Sequence, residues 1–125
     1  MNKRIKKFLP YSRQAISARD VNAVKKILSE DYITQGPRIS MFERNFADYV
    51  GAKYAVSLHS ATSAIFLALL NKNVEVSLPS ILPPVVANAA LTSGNKITFN
   101  DNIDWVGHSY ILHQFDDYKV IDSAQ

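Results

Sequence analysis

The stretch Leu58–Leu70, LHSATSAIFLALL, decides how the rest of the chain reads. A turn of small hydroxyl residues, Ser60-Ala61-Thr62-Ser63, stands between a short apolar run and a fully apolar helical run. The first turn of a helix leaves backbone N–H groups without intrahelical partners. Ser60 can cap them, or an anion can take them, since the helix dipole favours negative charge there. Small side chains permit close approach, and Thr62 and Ser63 add hydroxyl donors. Both readings stay open on this stretch alone.

The surroundings predict the fold. Upstream, Tyr54-Ala55-Val56-Ser57-Leu58 reads as a strand. Ala61 to Leu70 is apolar on nearly every face, which predicts a buried helix. Val74 to Leu78 reads as a second strand closed by Pro79. Pro83 and Pro84 suit the first turn of a helix running to about Gly94. Lys96 to Phe99 is a third strand, with weaker ones at Tyr110–Leu112 and Val120–Ile121. This alternation predicts an α/β layer with parallel strands. Residues 113–117 are too few for a parallel crossover, which needs a dozen or more. Either the last two strands are not both parallel, or that part of the sheet is rebuilt.

Before this layer, residues 1–16 read as an extended arm, with Pro10 ending any early helix. Ser17 and Asp20 resemble a capping box. Val21, Val24 and Leu28 then recur at helical spacing over residues 18–29. Thr34-Gln35-Gly36-Pro37 marks a turn. Ile39, Phe42, Phe46 and Tyr49 define a second helical face that Gly51 ends.

Composition narrows the class. The 125 residues suit one domain, and 47% hydrophobic with 20% charged content is globular. The net charge of +3 owes much to Lys3, Arg4, Lys6 and Lys7, a solvated basic head rather than a nucleic-acid face. There is no cysteine, so neither disulfide nor thiolate chemistry arises. No apolar run is long enough to span a membrane, and no apolar segment follows the basic start as in a secretory signal. The expectation is a cytoplasmic protein. His59, His108 and His113 form no metal or triad spacing, and Asp116-Asp117 reads as a solvated turn.

One ordered set of motifs comprises Asp31-Tyr32-Ile33-Thr34-Gln35-Gly36-Pro37, Phe42-Glu43, Phe46, Tyr49, Gly51-Ala52-Lys53-Tyr54-Ala55-Val56 and Ser60-Ala61-Thr62-Ser63-Ala64. The set resembles the DegT/DnrJ/EryC1/StrS family of pyridoxal-phosphate-dependent aminotransferases, which act on nucleotide-linked keto sugars. Each piece alone is weak, but the order and spacing over roughly residues 10–70 are specific. The end, Val120-Ile121-Asp122-Ser123-Ala124-Gln125, resembles the family's D-A-A-Q segment. The resemblance implies a partial large domain of the aspartate-aminotransferase (fold type I) architecture over residues 17–125, with a mostly parallel sheet and flanking helices. It implies pyridoxal 5′-phosphate as cofactor, with its phosphate held by Ala61, Thr62 and Ser63. Asp122 would pair with the pyridine nitrogen, and Gln125 would approach the phenolic oxygen.

The sequence also departs from that pattern. The family's glycine in the phosphate turn is Ala61, which would be closed to a glycine-only conformation. Proline stands where the family stacks an aromatic on the cofactor, at Pro83-Pro84. The family's Schiff-base lysine lies downstream of the D-A-A-Q segment, and no lysine here sits in a matching context. The resemblance therefore implies an N-terminal fragment of a sugar-nucleotide aminotransferase in surface polysaccharide or amino-sugar synthesis, not catalytic alone. The alternative is a non-catalytic remnant or binding and assembly module. A short sheet with uncovered apolar faces predicts self-association, the partner being a second copy or a chain that supplies the missing half.

Overall fold

A computed structural model describes Pro10 and residues 12–124. Most of the predicted N-terminal arm, and Gln125, lie outside the described residues; residues 12–16 carry no helix or strand. The chain divides into two compact units, Met1–Ala55 and Val56–Gln125.

The first unit holds two helices, α1 (Ala18–Leu28) and α2 (Pro37–Val50). The capping box that starts α1 is complete: Ser17 N–H donates to Asp20 Oδ2 at 2.7 Å and Asp20 N–H to Ser17 Oγ at 3.4 Å. Pro37 opens α2 with its φ already suited to a helix. Gly36 before it has no room for a side chain, because a Cβ there would lie 2.7 Å from Tyr32 Cβ. At the other end Gly51 takes the left-handed conformation, φ 70°, and its N–H closes on the Ala47 and Asp48 carbonyls. Arg38 forms a forked ion pair with Glu30, bridging the turn between the helices. No residue of α1 is buried, and Ala47 is the buried residue of α2.

The second unit carries α3 (Ala61–Leu69), β1 (Glu75–Pro79), α4 (Pro84–Thr92), β2 (Lys96–Asn100), β3 (Tyr110–Gln114) and β4 (Lys119–Asp122). Strands β1 and β2 pair in parallel, from Glu75 with Lys96 to Pro79 with Asn100, and α4 is their crossover. The core gathers where α3, α4, β1 and β3 meet: Leu69, Val76, Leu78 and Ala90 are fully enclosed, with Trp105 and Leu112 closing it. Asn71 and Asn73 take left-handed φ values of 55° and 51° in the turn into β1, a conformation that asparagine tolerates better than most side chains.

Three expectations change. Residues 54–58 form no strand. A strand needs a ladder as well as suitable side chains, and among the described residues none pairs with them. Helix α3 is not buried all round: Ile65 and Leu69 face the core while Leu67 is 50% exposed, since within its unit α3 packs chiefly on α4. The last two strands are not parallel: β1 and β2 form one two-stranded parallel sheet, and β3 and β4 pair separately as an antiparallel hairpin. That settles the question raised by the short 113–117 connection. A chain too short to cross over turns back, with Asp116 and Asp117 exposed at its tip and Phe115 N–H on the Tyr118 carbonyl at 2.8 Å. Exposed Leu67 and Phe99 in this unit fit the predicted uncovered apolar surface.

Candidate functional site

The Ser60 turn is a cap and still leaves donors free. Ser60 has extended backbone, φ −158° and ψ 155°, and its Oγ accepts from Ser63 N–H at 3.1 Å. Ser63 Oγ in turn lies 3.0 Å from Ser60 Oγ and 3.0 Å from His59 Nε2. Ala64 N–H returns to the Ser60 carbonyl at 3.2 Å. The Ser63 N–H is thus the capped orphan donor of α3, and the Ala64 N–H makes its first intrahelical bond. The N–H groups of Ala61 and Thr62, and the Thr62 hydroxyl, have no protein partner among the described residues. Ala61 is ordinary first-turn helix with no positive φ, so the methyl in place of the family's glycine demands no special backbone.

The hairpin brings a carboxylate to this turn. Residues opposite each other across an antiparallel pair exchange side-chain contacts, and the register sets Tyr110, first in β3, against Asp122, last in β4. Tyr110 Oη donates to Asp122 Oδ2 at 2.9 Å, and Ala124 N–H donates to Asp122 Oδ1 at 2.9 Å. Burial, and then the Asp122 carboxylate, push the Tyr110 hydroxyl well above the usual phenol range.

One hollow of about 150 Å³ is lined by Ala61, Thr62, Pro83, Tyr110 and Asp122 among others. A larger one of about 350 Å³ shares Ala61, Asp122 and Ala124, within the ~300–1,000 Å³ common for small-molecule sites. Pro83 follows the carboxyl end of β1, and Asp122 is the carboxyl end of β4. A ligand cleft outside the carboxyl ends of parallel strands is the general rule for open α/β sheets, and here it applies to β1. Of the residues predicted for the site, Ala61, Thr62 and Asp122 therefore come together. Ser63 does not line these hollows; it borders a separate groove of about 470 Å³ with His59, Phe66 and Asn88. Gln125 lies outside the described residues. Among the described residues no lysine lines either hollow. Among the described residues no three metal-ligating side chains converge, and no helix is long and apolar enough to cross a membrane.

Sequence reasoning missed Tyr110 as part of the site. The signal was present in the short 113–117 connection: a tight hairpin must set the start of one strand against the end of the next.

Two free N–H groups and a hydroxyl at a helix N-terminus suit a phosphate. A carboxylate across the same hollow suits a protonated ring nitrogen. The donor set thus fits a phosphorylated pyridine cofactor. The architecture is that of part of the large domain of fold type I pyridoxal-phosphate-dependent enzymes. It superposes on Helicobacter pylori PseC, an aminotransferase involved in the biosynthesis of pseudoaminic acid, with a TM-score of 0.66 and 30% identity over 74% of this chain and 27% of that one.

The model of the DegT/DnrJ/EryC1/StrS aminotransferase family matches residues 14–106, and the chain belongs to that family. The spore coat polysaccharide biosynthesis protein SpsC of Bacillus subtilis (strain 168) is 36% identical over 98 residues, 75% of this chain and 25% of that protein. A UDP-4-amino-4,6-dideoxy-N-acetyl-beta-L-altrosamine transaminase of Campylobacter jejuni (strain 81-176) is 35% identical over 96 residues, 74% of this chain and 26% of that protein. The chain thus spans about a quarter of the length of these relatives. The family match reaches Val106, so the hairpin carrying Asp122 lies beyond it.

Proposed function

We infer that this chain is the cofactor-cradling N-terminal part of an aminotransferase that acts on keto-sugar nucleotides in surface-polysaccharide or amino-sugar biosynthesis. The observation that carries this is the hollow lined by Ala61, Thr62 and Asp122, the Ala61 and Thr62 N–H groups having no partner among the described residues. Pyridoxal 5′-phosphate, when bound, supplies the electron sink for transamination. Ala61 and Thr62 bind its phosphate through their N–H groups and the Thr62 hydroxyl. Ser63, already tied to Ser60 and His59, holds the turn in shape and adds to the phosphate only through its hydroxyl. Asp122 keeps a proton on the ring nitrogen. Pro83 covers one side of the hollow and excludes water, with a smaller face than an aromatic ring.

Among the described residues neither lining holds a lysine, which fits a chain that binds cofactor but does not transaminate by itself. The lysine then comes from the remaining family segments or from a partner chain, which would also cover Leu67 and Phe99. The same observation favours the second reading, a binding module that keeps the cradle without the chemistry.

Thermal unfolding with and without pyridoxal phosphate tests the cradle. At about 100 times Kd, binding stabilises by about 2.7 kcal/mol, roughly 10–20 °C for a cooperative unit of this size. Thr62→Val and Asp122→Asn should each reduce the shift. No shift in the unaltered chain overturns the cofactor assignment. Amino transfer by the chain alone would instead overturn the need for an outside lysine.

A further inference from the structure

Tyr110 belongs to none of the motifs that carry the family resemblance, yet it is the residue most closely engaged with Asp122. The residue is 7% exposed, and its ring centroid lies 5.1 Å from that of Trp105. Its hydroxyl reaches Asp122 Oδ2 at 2.9 Å, across the first registered pair of the hairpin. Because the hydroxyl is pushed above the ordinary phenol range, it stays protonated and remains a donor at any working pH. The Ala124 N–H holds the other carboxylate oxygen at 2.9 Å. One donor on each oxygen fixes the plane of the carboxylate, and each oxygen keeps a further acceptor site. Both Tyr110 and Asp122 line the hollow that Thr62 borders.

We propose that Tyr110 is a positioning residue: its hydroxyl orients the Asp122 carboxylate to accept from the protonated ring nitrogen of a bound pyridine cofactor. The proposal rests on the cofactor reading above. The bland alternative is that a buried tyrosine simply needs a hydrogen-bond partner and Asp122 serves it. The two differ in one respect. A positioning role acts through Asp122 alone, whereas a packing role acts whatever residue stands at 122.

The experiment is a double-mutant cycle on the whole chain with Tyr110→Phe and Asp122→Asn. It reads pyridoxal phosphate affinity by fluorescence and ring-nitrogen protonation by NMR of the ¹⁵N-labelled cofactor. Tyr110→Phe keeps the ring on Trp105 and removes only the hydroxyl; unfolding curves check that each variant is folded. Loss of one hydrogen bond to a charged group predicts roughly ten-fold weaker binding, with the ring-nitrogen signal moved toward the unprotonated form at neutral pH. On the Asp122→Asn background the same change should cost less than about two-fold.

Unchanged affinity and signal in Tyr110→Phe overturn the positioning role and leave the cofactor reading standing. A loss repeated in full on the Asp122→Asn background also overturns it. Failure of the unaltered chain to bind overturns both. A further measurement needs no variant. The buried Tyr110 hydroxyl proton should shift when cofactor is added to the unaltered chain, and an unmoved resonance with cofactor bound refutes the proposal.

Discussion

Replacing Asn95 by alanine should damage the second unit more than any exposed polar change. Asn95 is 6% exposed and ties three elements with one side chain. Its Nδ2 donates to the Leu69 carbonyl at the end of α3, at 2.8 Å, and to Ser93 Oγ at 2.9 Å. Its Oδ1 accepts from Val74 N–H, just before β1, at 3.0 Å. Asn95→Ala strands the Val74 N–H, which costs ~1–3 kcal/mol, and takes from the Leu69 carbonyl one of its two donors, the Lys72 N–H remaining at 3.2 Å, at about 1 kcal/mol. The sum is about 3 kcal/mol, a large share of the ~5–15 kcal/mol that holds a domain together. It corresponds to a fall in Tm of roughly 12–24 °C. Thermal and urea unfolding followed by circular dichroism would read it. Ser80→Ala serves as control, since the Ser80 hydroxyl bonds the Asn100 carbonyl and Asp101 at an exposed site. Asn95→Asp should be worse than Asn95→Ala at neutral pH, because an anion would face the Leu69 and Ala90 carbonyls. A carboxyl buried there titrates above its unfolded value, so its stability is fullest below that value and is lost as pH rises through the folded one. An Asn95→Ala loss under about 1 kcal/mol, with an unchanged denaturant slope, would refute the reasoning. The consequence reaches the site, because the helix pinned at Leu69 carries Ala61 and Thr62 at its other end.

Ser60→Ala removes the cap of α3 and should cost about 1 kcal/mol in thermal unfolding; a neutral result would mean that the Ser63 N–H finds another acceptor. Ala61→Gly should slightly destabilise α3, by at most ~1 kcal/mol, and tighten cofactor binding by less than about two-fold, since Ala61 already has helical backbone; a large gain would show that its methyl crowds the phosphate. The Asp20 carboxyl is held below its ordinary value of 3.8, first by the Ser17 N–H and then by the Ser17 hydroxyl. Its support for α1 is therefore complete above that value and is lost as pH falls through the lower folded one. The Ser17 and Asp20 amide shifts, followed from about pH 5 to pH 2, should show that midpoint, and titration at or above 3.8 would contradict the capping box.

The elements that were legible in the sequence are those whose causes are local. Ser17 and Asp20 cap α1, Pro37 and Gly51 bound α2, and Pro84 opens α4; each signal acts within a few residues of itself. The misread elements depend on what lies across from them. Tyr54 to Leu58 has strand-forming side chains, but a strand exists only where a neighbouring ladder receives it. The apolar run of α3 declares that the helix can be buried, not how many of its faces find cover, and Leu67 remains half exposed. The site divides along the same line. Ser60 to Ser63 is a local motif, and its cap and its free donors follow from four consecutive residues. Tyr110 and Asp122 meet only because the connection between β3 and β4, the four residues 115–118, cannot cross over and must fold back. That length was visible in the sequence, and its geometric consequence is what links the carboxylate to the helix turn. A hairpin of this register returns the end of β4 to the start of β3. The aspartate thereby reaches the hollow beside Thr62 without the crossover that a parallel strand would require.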